Sequence, residues 1–160
     1  MRTHEELREL FEDYEVPVAF LTVTQTQLNK SIMDAVKPLR ELLKEKGVHD
    51  YSTQEQGTHA KVVKVVNFII HTTEIVGHDV LYPYSTTVEE KVTLYRPTSG
   101  NGDPRIWFTN LKKYAHAGDV LVVMANDEAL YVVNATDDEV LNEIEDPDSI
   151  LGQVIEKVGN

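Results

Sequence analysis

The chain has 160 residues, 41% of them hydrophobic and 26% charged, enough for one domain with its own core. It contains no cysteine, which excludes disulfides and thiolate metal sites. The formal net charge is -12, which argues against broad phosphate binding unless the cations are gathered locally.

They are unevenly spread. Residues 1–60 balance to -4, residues 61–120 to +1 and residues 121–160 to -9. The middle of the chain could therefore present a basic face. The acidic end reads as a solvated helical surface, or as one that imitates DNA or docks on a basic partner. The first residues, MRTHEELRELFEDYEVP, lack a continuous apolar run. The apolar stretch at 62–70 is broken by Lys64 and Asn67 and is too short for a bilayer. A cytoplasmic protein without membrane contact is expected.

In chain order, residues 5–13 predict a short helix with Leu7, Leu10 and Phe11 on one side, and residues 16–23 a strand. In 24–47, Leu28, Ile32, Ala35, Val36, Leu39 and Leu43 recur at spacings of three and four, predicting a long helix kinked or divided at Pro38 and stopped at Gly47. Residues 49–59 lack a period and read as loop. Residues 61–71 predict a buried strand, and 80–84 a short strand ended at Pro83.

Residues 89–96 alternate, with Val92 and Leu94 on one face and Lys91, Thr93 and Tyr95 on the other. A turn-rich loop leads to a strand over 105–108, then a helical turn over 110–115. VLVVMA and ALYVVN predict a hairpin. Thr136 and Glu139 have capping-box spacing ahead of one acidic helix, and Asp148 precedes a last one. The reading is a single α+β domain over 1–160, with a mixed or mainly antiparallel sheet, a long N-terminal helix and acidic C-terminal helices.

Three groups of residues invite chemistry. Asp79 followed by Glu89 and Lys91 offers two carboxylates and a lysine that could hold Mg²⁺ and activate water, as in a Mg²⁺-dependent endonuclease. So short a spacing is expected by chance among 27 acids. His49, His59, His71 and His78 form no H-x-x-x-H or H-E-x-x-H pair, so no metal site or resident cofactor is expected. The third group is YRPTSGNGDPRIWFTNLKKY, residues 95–114. Arg96 and Arg105 flank a glycine-containing loop, followed by Trp107, Asn110, Lys112 and Lys113. Arginine and asparagine suit bidentate reading of base edges, and glycines let a loop approach phosphate. The same segment could equally be a turn with Trp107 in the core and the lysines solvated.

The run LYRPTSGNGDPRIWFTNLKKYAHAGDVLVVMANDEALYVVN resembles a block of larger type II restriction endonucleases of the MvaI/BcnI type. There an R-P-T loop, G-D-P-R-I-W, an L-K-x-Y-A stretch and a G-D/N-D hairpin follow in one order. With the upstream LNKSIMDAVKPLRELLKEKGVHDYSTQEQG, the resemblance covers about residues 23–135. It implies double-stranded DNA as ligand, with Arg96, Asp103, Arg105, Trp107, Lys112 and Lys113 as the positions carried over. Asp103 and Trp107 are expected to support the loop. No nuclease core follows Asn134, only the acidic extension 136–160. The resemblance therefore implies a DNA-recognition or effector module associated with restriction–modification, without catalysis of its own. The alternatives are the Mg²⁺-dependent nuclease and an acidic inhibitor that acts on a DNA-binding enzyme.

Overall fold

The computed structural model describes residues 2–76 and 80–159, and side chains outside 73–83. Among these the helices are α1 (His4–Glu12), α2 (Gln25–Lys30), α3 (Lys37–Glu45), α4 (Asp138–Leu141) and α5 (Ile150–Val158). The strands are β1 (Ala19–Thr22), β2 (Ile32–Asp34), β3 (Val62–Val76), β4 (Val80–Tyr95), β5 (Arg105–Phe108), β6 (Val120–Ala125) and β7 (Ala129–Asn134). They form one sheet in the order β1-β6-β7-β3-β4-β5-β2. Every neighbouring pair is antiparallel except β3 with β7. The fold is α+β with a mixed sheet. No helix among the described residues is long and apolar enough to cross a membrane.

The long N-terminal helix expected over 24–47 does not form. Ser31 takes a left-handed conformation and closes α2. Ile32, Met33 and Asp34 then pair with Trp107, Ile106 and Arg105. Pro38 does not kink a helix but starts α3, in the first turn, where its missing N–H costs nothing. The three-and-four spacing was real on both sides of this break: Leu28 is buried on α2, and Leu39 and Leu43 on α3. Spacing alone does not reveal that an edge strand is inserted between them.

Other boundaries also shift. The strand expected to end at Pro83 instead runs on to Tyr95 as one long partner of β3. Thr136 does not cap α4: Asp137 accepts from Val140, and the Thr136 hydroxyl donates to Asn134. Ser149, not Asp148, caps α5. The expected hairpin of β6 and β7 forms, with Val122 opposite Val133.

The sheet carries a core on each face. On one side α2 and α3 pack Leu28, Leu39, Leu42 and Leu43 against Phe68, Val92, Leu94, Ile106 and Phe108. On the other, α1, α4 and α5 pack Leu7, Phe11, Val140, Leu151 and Val154 against Val122, Met124, Tyr131 and Val133. All six residues of β6 are buried, as continuous apolar runs require when both faces are covered. Among the described residues, the second core includes none from β2, β4 or β5. On that side α5 and Glu143 reach the part of β4 at 85–87, and the helices leave open β2, β5 and the 91–95 end of β4.

Candidate nucleic-acid interface

The uncovered half owes its composition to strand alternation. In β5, Ile106 and Phe108 turn inward, which turns Arg105 and Trp107 outward. Val92 and Leu94 do the same in β4, leaving Lys91, Thr93 and Tyr95 on the outer face. Register then sets the neighbours. Val63, Thr93, Trp107 and Ile32 form one row across four strands, and Tyr95, Arg105 and Asp34 the next.

Two large apolar side chains of this row stand in solvent, Val63 at 58% and Trp107 at 40% exposure. Lys61, immediately before β3, places its ammonium over both rings, 5.1 Å from the centre of Tyr95 and 5.6 Å from that of Trp107. Each contact has cation–π geometry. Arg105 lies opposite Tyr95 and forms an ion pair of 2.9 Å with Asp34. Its Nε is buried without a hydrogen-bond partner. Burial raises the Tyr95 phenol above its ordinary range, against the opposing pull of the Arg105 charge. The surface thus combines two aromatic rings, Lys61, Lys91 and Arg105.

The residues singled out in the sequence do not all meet here. Arg105 and Trp107 do. Trp107 is on the outer face and not in the core. Arg96 is engaged within the fold: its guanidinium donates to the carbonyls of Gly102 at 2.8 Å, Gln54 at 2.9 Å and Asn101 at 3.2 Å. Gly102, at φ 67°, has no room for a Cβ beside the Gln56 side chain. Arg96 therefore clamps its own loop. Asn110, left-handed at φ 62°, donates to the Glu90 carboxylate at 2.9 Å.

Lys112 and Lys113 are exposed on the following 3-10 turn. Leu111 and Tyr114 anchor that turn to the α3 side of the sheet, where Tyr114 stacks on Phe68 at 4.0 Å. The two lysines are thus rooted on the face opposite Trp107. Burial and then Glu90, which accepts the phenol's hydrogen bond, push Tyr114 up to about 12.

Asp103 borders a cleft of about 830 Å³ between α3, residues 50–52 and the loop 101–105. Arg40, Lys44, Arg96 and Arg105 face Asp34, Glu41, Asp50 and Asp103 in its lining. Charge is balanced there, so the cleft offers no field of one sign for a phosphate chain. Asp79 and His78 lie outside the described residues. Glu89 and Lys91 share the outer face of β4, but no group of three or more potential metal ligands occurs among the described residues. His49 is bonded to Gln54, His59 to Glu55 and His71 to Glu139, each in a different place.

Lys61, Val63 and Tyr95 were not candidates from sequence. The alternation of Lys91, Thr93 and Tyr95 did signal an outward face. Which strands would adjoin it depended on long-range pairing. No family model matches the chain, and neither the curated proteins nor the solved structures hold a match.

Proposed function

We propose that this chain is a DNA-recognition module whose contact surface is the open half of the sheet. Lys61, Lys91 and Arg105 meet phosphates, while Trp107 and Tyr95 meet bases. One observation carries the reading: Trp107 stands 40% exposed on a sheet face, with a lysine ammonium shared between it and a neighbouring tyrosine. Exposed apolar surface hemmed by cations is poorly suited to a protein core but suits bases joined by phosphates. The resemblance to restriction endonucleases points to the same ligand class, and an effector role in restriction–modification would follow from it.

Fluorescence anisotropy of labelled DNA, at low and physiological salt, tests this. Trp107→Ala and Lys61→Ala should each weaken binding several-fold while leaving the far-ultraviolet circular dichroism unchanged. Absence of binding at low salt, or affinity unchanged in both variants, would overturn the assignment. In this reading the module binds without cutting, so DNA should stay intact when Mg²⁺ is added. Cleavage lost in Glu89→Gln would instead transfer the assignment to a nuclease built on Asp79, Glu89 and Lys91.

A further inference from the structure

We propose that the strand held by this surface is unpaired, with bases laid face-on against Tyr95 and Trp107. This rests on the DNA-recognition reading and narrows its ligand. Shape is the first reason. The open surface spans four adjacent strands, β3, β4, β5 and β2, so its width is roughly 14 Å at about 4.8 Å per strand gap. A duplex major groove is about 12 Å wide and admits a helix or a two-stranded ribbon. A four-stranded face cannot enter it, and the base faces of a duplex are already stacked on one another.

Placement of the rings is the second reason. Tyr95 pairs with Arg105, so Trp107 is its diagonal neighbour on the next strand. Such neighbours stand roughly 7–8 Å apart, close enough to receive successive bases of one strand. Sheets that present aromatic side chains stack single-stranded bases in this manner. The cations complete the arrangement. Lys61 reaches over both rings, so a base that stacks there displaces its ammonium toward the adjoining phosphate, and Lys91 follows along β4, on the same face as Tyr95. Arg105 is fixed by Asp34 next to Tyr95 and keeps one buried Nε–H unpartnered. Phosphates that join stacked bases would run along these groups.

The chain has one tryptophan, so its tryptophan fluorescence, excited selectively over tyrosine, reports on Trp107 alone. The full chain is titrated at low salt with a mixed-sequence strand that cannot self-pair, and separately with the same strand annealed to its complement. The single strand should quench Trp107 and bind at least about tenfold tighter than the duplex. In anisotropy with the labelled strand, Trp107→Ala should lose about 5- to 150-fold in affinity, the equivalent of 1–3 kcal/mol per stacked base. Trp107→Phe should recover most of that loss.

Duplex binding as tight as single-strand binding, and equally sensitive to Trp107→Ala, would overturn the unpaired-strand proposal and leave the DNA module standing. Single-strand binding that Trp107→Ala does not alter would remove the stacking surface. Failure of both DNAs to bind would bring down both readings.

Discussion

The guanidinium of Arg96 bonds backbone carbonyls from two segments, Gln54 on one side and Asn101 with Gly102 on the other. That of Arg105 meets one exposed carboxylate. Hydrogen bonds from charged groups contribute more than neutral ones, and carbonyls stripped of a donor bear a desolvation cost. Arg96→Ala should therefore lower stability by about 3 kcal/mol in urea unfolding. An exposed ion pair is worth about 0–1 kcal/mol, so Arg105→Ala should unfold within about 1 kcal/mol of the parent yet bind DNA more weakly. Equal stability of the two variants would mean that Arg96 is not the clamp described. Arginines at either end of one loop looked equivalent in sequence because both are compatible with phosphate; only the fold separates their roles.

At the scale of elements, much was readable. Strict alternation gave Val92 and Leu94 against Lys91 and Tyr95, and the apolar runs of β6 and β7 gave a buried hairpin. The failure was at 24–47, where periodicity continues through a short strand. Met33 is buried at 2% beneath β5 pairing, while Ile32 faces the open side with Trp107. Met33→Ala should cost about 2–5 kcal/mol through lost burial and cavity formation. Ile32→Ala should cost under about 1 kcal/mol, and similar losses at both would contradict the strand alternation. Lys61 is not legible in the sequence for a related reason: its ring partners come from β4 and β5, far along the chain, and short-range pattern carries no information on that pairing.

Another element, the turn after α3, should confer pH dependence. His49 packs edge-on against Tyr51 and is bonded to Gln54, whose amide in turn holds the carbonyls of Ala60 and Leu94. Burial lowers His49 below its ordinary 6.5, outweighing the opposing effects of the Gln54 bond and Asp50, while Lys64 adds to the lowering. The unfolded chain thus takes up this proton more readily than the folded one. The stability contribution is present above the unfolded value and is lost as pH falls through the folded value. Urea midpoints should decline as pH falls below about 6.5, and His49→Gln should flatten part of that decline. An unchanged slope in the variant would place the acid sensitivity elsewhere.

For the molecule as a whole, the question is how a chain of charge -12 can hold a nucleic acid at all. Residues 121–160 contribute -9 of that charge, and their helices α4 and α5 lie with α1 on the closed half of the sheet. The open half has Lys61, Lys91 and Arg105 against Asp34 and Glu89. Its electrostatic attraction is accordingly local and small, and stacking must supply much of the affinity. This sets a quantitative expectation. Each phosphate neutralised on a single strand contributes about -0.7 to the slope of log K against log salt. Three cations give roughly -2, and Lys61→Ala should make the slope shallower by about 0.7. A slope near zero with binding intact would leave the rings and remove the cations from the contact. One much steeper than about -2 would require more cations than this face holds, and Lys112 and Lys113, rooted on the opposite face, would be the first to replace. Their removal would then reduce the slope only if the strand wraps around the edge of the sheet.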